Sequence, residues 1–124
     1  MTQAELEKRL DMIKYYDASN KMWQEFTTGE RARNAVPEHR AAMIQIANES
    51  IKKNNAHRAE VISLLEQAAN ESDKEILQRY YVEHQSYFDI AEGMFYEYSY
   101  IRQKKSNALK RLAANLKGYP AGSF

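Results

Sequence analysis

The sequence has no cysteine, which excludes disulfide staples and cysteine nucleophiles and fits a reducing interior. It has only two prolines and four glycines among many helix formers, so an all-helical chain is the expectation. No apolar run approaches the length of a bilayer, and the opening MTQAELEKRL lacks the hydrophobic core of a signal peptide. Cytoplasm is therefore the expected compartment, with no membrane partner. At 124 residues the chain supports one compact domain, or a small domain with a helical extension, and not a large multi-domain enzyme. Its 44% hydrophobic content is enough for a core. The most telling scarcity is of one charge: residues 98–124 carry six cations (Arg102, Lys104, Lys105, Lys110, Arg111, Lys117) and no acid. Residues 1–97 run the other way, with 12 basic and 17 acidic side chains, so a formal net charge of +1 hides a polarised molecule.

Helical spacing organises what is present. Thr2 and Glu5 form a capping-box pattern, and Leu6, Leu10, Ile13, Tyr16 and Trp23 recur three, four or seven residues apart. They predict a first helix of about 25 residues, ended by Thr27-Thr28-Gly29. A polar connection runs through Asn34 to Pro37, which suits the first position of a new helix. Ile44, Ala47, Ile51, Arg58, Val61, Leu65 and Ala68 then repeat at helical spacing. The interval Lys52-Lys53-Asn54-Asn55 weakens that stripe and leaves two alternatives, one long helix with a soft middle or two helices broken near Asn55. Ser72 with Glu75 predicts the cap of a short helix bearing Ile76, Leu77, Tyr80 and Tyr81. Ser86 with Asp89 does the same for a helix bearing Phe88, Ile90, Ala91 and Met94. A last helix is expected from Tyr98 or Ser99 to about Leu116, with Ile101, Ala108, Leu109, Leu112 and Leu116 inward and Gly118, Tyr119 and Pro120 as its stop. The expected architecture is all-α. Long N-terminal helices, as a hairpin or an extension, occupy residues 1–60, a three-helix C-terminal unit occupies residues 61–117, and a loose tail follows over residues 118–124.

A helix enters the DNA major groove because the groove admits one and presents distinguishable base edges. On the last helix, Ser99, Arg102, Gln103 and Ser106 fall opposite the core stripe and are the candidates for base contact, Arg102 suiting guanine and Gln103 adenine. Lys104, Lys105, Lys110, Arg111 and Tyr100 are the candidates for phosphate contact, joined by Gln85 and Ser86 at the positive end of the preceding helix. The plain alternative is a solvated basic face near a helix C-terminus. Two-helix spacing favours DNA: Ala91 sits where close helix approach demands a small residue, and Ile101, ten positions later, sits where the second helix must plug the core.

The residues Ile76-Leu77, Arg79-Tyr80-Tyr81, Glu83, Ser86-Tyr87, Asp89-Ile90-Ala91-Glu92, Ile101 and Ser106-Asn107-Ala108-Leu109-Lys110-Arg111-Leu112 follow an "RY, acidic, S, IAE" run before the turn and an "AL, basic, basic, L" run after it. In these the segment over residues 61–116 resembles region four of the main class of bacterial sigma factors. More closely still, it resembles the small phage and prophage regulators of the ArpU and RinA type. The resemblance implies a helix-turn-helix that binds double-stranded DNA, late-gene control, and a bacterial host cytoplasm. Two positions depart from the pattern. Where such proteins read leucine-glycine at the turn, this chain has Met94-Phe95-Tyr96-Glu97-Tyr98, and Phe95 at the position favouring positive φ raises the alternative of a longer or differently closed turn. Lys105 falls where an apolar residue is common. Tyr96, Tyr98 and Tyr100 either pack beside the turn or reach the DNA backbone.

Other features carry less. His39, His57 and His84 lack metal-site spacing, Glu83-His84 has no nucleophile or partner base beside it, and no cofactor site is legible. Glu5 with Arg9, and Glu7 with Asp11, read as surface pairing and repulsion. Tyr15, Tyr16, Trp23 and Phe26 either pack on the second long helix or form a homodimer surface, since helix-turn-helix proteins commonly bind paired half-sites. The acidic N-terminal half should stand off DNA. The sequence therefore reads as a non-enzymatic, sequence-specific DNA-binding transcriptional regulator. The alternatives are an interaction module for RNA polymerase or a sigma factor, and a small-terminase-like packaging protein. If all six terminal cations met phosphates, binding would fall with salt at a log-log slope of about −5.

Overall fold

The computed structural model describes residues 1–119, and every regular element among them is helical. Thr2 caps α1 (Gln3–Thr28): its hydroxyl accepts from the Glu5 amide at 3.1 Å while the Glu5 carboxylate accepts from the Thr2 amide at 3.2 Å. The connection expected to be irregular contains a single helical turn, α2 (Glu30–Arg33). It is held because the Arg40 guanidinium donates to the carbonyls of Ala32, Arg33 and Ala35. Pro37 then opens α3 (Pro37–Ser63), which runs back along α1.

Of the two alternatives for the second long helix, the unbroken one is observed. The polar interval survives because its amides find partners across the hairpin. Asn54 Nδ2 donates to Ser19 Oγ and Asn20 Oδ1, both at 3.0 Å, and Asn20 Nδ2 donates to Asn55 Oδ1 at 2.9 Å. The seam on α3 is Met43, Ala47, Asn54 and Val61 at seven- and four-residue steps, so Ile44, expected inward, is rotated off it and exposed. Arg9 corrects another expectation. It is buried rather than on the surface and meets Glu60 of α3 at 3.4 Å.

After α3 the chain tightens into a 3₁₀ turn (Leu64–Gln67), then forms α4 (Glu71–Leu77). The cap of α4 is Asn70, whose side chain accepts from the Asp73 amide at 2.8 Å, and not Ser72 as the spacing suggested. Starting earlier puts Asp73 on the inner side, where its buried carboxylate takes the Arg111 guanidinium in two bonds of 2.6 and 2.8 Å. A π-helical turn (Gln78–Val82) carries α4 onward and turns Tyr81 into the core. Then follow α5 (Tyr87–Met94) and α6 (Tyr98–Asn115). Beyond α6, Gly118 takes a positive φ of 96° and the Tyr119 amide donates back to the Leu116 carbonyl. The expected stop at Pro120, and the part of the expected tail from residue 120 onward, lie outside the described residues.

The core does not respect a boundary near residue 61. Leu6, Leu10, Ile13 and Tyr16 of α1 pack in one cluster with Val61, Leu65, Ile76, Leu77, Ile90, Ile101, Leu109, Leu112 and Leu116. The far half of the α1/α3 hairpin buries only Ala32, Met43 and Ala47 among its apolar residues. Where hairpin and C-terminal unit meet, Asp17 bridges them: Arg58 Nε donates to its Oδ1 at 2.7 Å and His84 Nε2 lies 2.8 Å from its Oδ2. No helix among the described residues is long and apolar enough to cross a membrane.

Two outcomes follow from this arrangement. Leu10→Ala should cost roughly 2–5 kcal/mol. It should lower the denaturation midpoint equally by Trp23 fluorescence and by far-ultraviolet circular dichroism, whereas two separate transitions would mean that the halves fold independently. The second outcome concerns acid. Burial opposes the Asp17 charge, but the bonds from His84 and Arg58 outweigh it and hold the carboxyl below the ordinary carboxylate range. A folded-state value below the unfolded one means that this stabilisation is complete above about pH 4 and is lost as pH falls through the depressed value. Asp17→Asn should lower stability near neutrality and flatten the acid limb of the stability profile measured by denaturant titration.

Candidate nucleic-acid interface

The last two helices meet through a turn that the residues close in an unexpected way. Ser86 caps α5, its hydroxyl accepting from the Asp89 amide at 3.1 Å, and Ile90 and Ala91 are buried beneath the helix. The turn is three residues, Phe95 to Glu97. Phe95 itself supplies the left-handed residue, at φ 59° and ψ 36°, and the Tyr96 amide donates to the Ala91 carbonyl at 2.9 Å. Tyr96 folds under the turn against the core, with its hydroxyl 3.4 Å from Ser72 Oγ. A Cβ at Gly93 would meet the Arg79 guanidinium, which would have to shift from its bonds to Glu75 and Gln85. That guanidinium is held by Glu75 at 2.9 and 3.0 Å and donates to Gln85 Oε1 at 3.4 Å.

On α6 the inward stripe is as expected, with Ile101, Ala108, Leu109, Leu112 and Leu116 all fully buried. Opposite it, Ser99, Gln103, Ser106 and Lys110 fall at i, i+4, i+7 and i+11 and so line one face. Ser99, Gln103 and Lys110 are exposed and Ser106 is half-buried. Arg102 is exposed beside this stripe, its guanidinium carbon 5.5 Å from the centre of the Tyr87 ring. Tyr87, Tyr98, Ser99 and Arg102 together line an open hollow of about 300 Å³ at the N-terminal end of α6. Tyr100 is exposed.

The remaining cations are not equivalent. Lys104 lies over the Tyr96 ring, 4.2 Å from its centre. Lys105 is half-buried at 3.9, 5.6 and 5.4 Å from the rings of Tyr80, Tyr81 and Tyr87, which explains how a lysine occupies an apolar position. Burial opposes ionisation of Tyr87, yet Lys105, aided by Arg102, outweighs it and lowers the hydroxyl below the ordinary tyrosine range. Arg111 is committed to Asp73. Ser86 is exposed but spends its oxygen on the cap, and Gln85 is half-buried with its carbonyl turned to Arg79. Lys110 and Lys117 are exposed.

Asn107 was missed as a site residue, although it completes the outer face: Gln103 Nε2 donates to its Oδ1 at 3.1 Å. The i, i+4 spacing was the available signal. Tyr87 and Tyr98 were missed as walls of the hollow because only the fold brings α5 and α6 together there. Two of the three histidines serve contacts within the chain: His57 stacks on Tyr16 with ring centres 6.0 Å apart, and His84 meets Asp17, while His39 is exposed. Among the described residues, no group of three or more histidine, aspartate or glutamate side chains converges as metal ligands would. Comparison with family models, with curated proteins and with solved structures gives no match to this chain.

The difference between Arg111 and Lys110 is measurable. Arg111→Ala should lower the thermal midpoint clearly, because it strands the buried Asp73 carboxylate. Lys110→Ala should leave that midpoint nearly unchanged. Equal effects in differential scanning fluorimetry would remove the structural role of Arg111.

Proposed function

We propose that the protein is a sequence-specific DNA-binding regulator whose α5 and α6 form a helix-turn-helix of the sigma-region-four type, with α6 in the major groove. The observation that carries this reading is the outer face of α6. Ser99, Arg102, Gln103, Asn107 and Lys110 stand on a helix rigidly seated by five fully buried apolar side chains, in a stretch of the chain without an acid. Groove recognition asks for this combination: rigidity on one side, and donors, acceptors and cations on the other. The closing of the turn by Phe95 is consistent with a helix-turn-helix, since a left-handed residue just after the first helix lets the second leave it at a steep angle. Phage or prophage late-gene control, double-stranded DNA as partner and the bacterial cytoplasm as location belong to the same proposal and rest on the sequence resemblance. The reading as non-enzymatic belongs to the same proposal and rests on the lack of a legible nucleophile or partner base in the sequence.

The packing sharpens the roles. Arg102, Gln103, Ser99 and Ser106 remain the base-reading set, with Asn107 added beside Gln103. With Arg102 reading bases, Lys104, Lys110 and Lys117 are the cations with charge left for phosphates, while Lys105 and Arg111 act mainly within the fold. The salt dependence should therefore have a log-log slope nearer to about −3 than to −5.

The test is selection of bound duplexes from a random pool, followed by anisotropy titrations across a salt series. Arg102→Ala or Gln103→Ala should relax the selected preference and cost roughly 1–3 kcal/mol on the best site. Lys110→Ala should weaken all sequences alike and reduce the slope by about 1. Salt-independent association, or none with any duplex at low salt, rejects the reading.

A further inference from the structure

The outer side of α5 does not resemble the outer side of α6. Phe88 and Glu92 stand at i and i+4 on α5 with Asp89 beside them, and Phe95 is the left-handed residue that follows the helix directly. Phe88 is 62% exposed and Phe95 is 95% exposed, the highest value among the exposed large apolar side chains. Neither ring has a polar atom to offer water, unlike the exposed tyrosines nearby. Phe95 is also held at φ 59°, where a bulky side chain is an outlier and glycine would be relaxed. The turn is not loose, since Tyr96 is packed beneath it and Lys104 covers the Tyr96 ring. The fold thus presents an aromatic ring to solvent on a rigid support, at a local backbone cost that glycine would remove.

The charges around these rings decide what could cover them. Asp89, Glu92 and Glu97 are exposed, and none joins an ion pair among the described residues. Glu97 precedes α6 without using its side chain as a cap. Three free carboxylates around two phenylalanines repel a phosphate backbone and attract cations. We propose that the outer face of α5 and its turn, with Phe88 and Phe95 as anchors and Asp89, Glu92 and Glu97 as rim, docks a protein partner offering an apolar surface edged by lysine or arginine. The proposal does not depend on duplex binding.

A labelled synthetic amphipathic helix with leucines at i, i+3, i+4 and i+7 flanked by lysines serves as the probe, and the same peptide with glutamates in place of the lysines serves as control. The native chain should bind the lysine peptide at least tenfold more tightly than the control. Phe95→Gly should weaken that binding at least tenfold while leaving the thermal midpoint unchanged or raised, because the left-handed position is relieved. Phe88→Ser should weaken it similarly, and Asp89→Asn with Glu92→Gln should remove most of its salt dependence. Duplex affinity should stay within twofold in all three variants. No binding of the lysine peptide, equal binding of both peptides, or undiminished binding by Phe95→Gly overturns the proposal. So does a loss of duplex affinity in folded Phe95→Gly, which would put the ring against DNA. The peptide measurements decide the matter whether or not the native chain binds any duplex.

Discussion

The C-terminal helices depend on a stripe that is not theirs. From the 3₁₀ turn to the end of α6 the residues alone would make only a marginal core, since a unit of roughly 60 residues buries only about 60% of its unfolded surface. Leu6, Leu10 and Ile13 supply the missing layer and are fully buried in the same cluster as Ile90, Ile101 and Leu109. A cap at Thr2 fixes where that stripe begins, so the register of α1 is set at the chain's first residues and felt at α6. The outer face of α6 is presented at a defined angle only because its inner face is filled from α1 as well as from α4 and α5. Burial on one side is what gives the other side a fixed orientation.

The rest of the hairpin follows a different principle. Beyond Tyr16 the interface turns polar, and Asp17, Ser19, Asn20, Asn54, Asn55 and Arg58 pair side by side. Such pairs add little net stability, but each is satisfied in one register only, so they fix the relative position of two long helices that apolar seams alone would let slide. Asp17 extends the constraint by also holding His84, the left-handed residue that ends the π-helical turn. The path from hairpin to α5 is therefore a chain of specific bonds laid over a shared core.

Much of this was legible in the sequence wherever a periodic apolar stripe met a cap. The bounds of α1 and α6, the Ser86 cap and the inward residues of α6 follow from spacing and capping chemistry. The outer face of α6 was equally legible, because it is the complement of that stripe. What was not legible depends on partners distant in sequence. Nothing local distinguishes Asn70 from Ser72 as the cap of α4; the choice is set by Asp73 meeting Arg111 across the core. Nothing near Arg9 announces Glu60. Phe95 stands at the position favouring positive φ, which left a longer or differently closed turn open, and spacing alone could not reveal that the phenylalanine itself takes the left-handed conformation.

The cations of α6 show why counting charge is a poor measure of what a basic helix can do. Six look alike in sequence, but the fold divides them into three kinds. Arg111 neutralises a buried acid and Lys105 rests on a tyrosine cluster, so both contribute to the position of α6 before any partner arrives. Lys104 and Arg102 lie over Tyr96 and Tyr87, which orders long side chains in advance and lowers the entropy lost when they meet an anion. Lys110 and Lys117 have no such support and offer charge without direction. The supported polar side chains are concentrated toward the N-terminal half of the helix, where Ser99, Arg102 and Gln103 are exposed and an aromatic hollow opens beside them. The C-terminal half offers charge with little direction. The exposed carboxylates of Asp89, Glu92 and Glu97 give the outer side of α5 and its turn the opposite sign, a side that repels rather than attracts an anion. The two exposed faces of this helix pair thus differ in charge sign, and the buried side chains between them hold those faces in fixed relation.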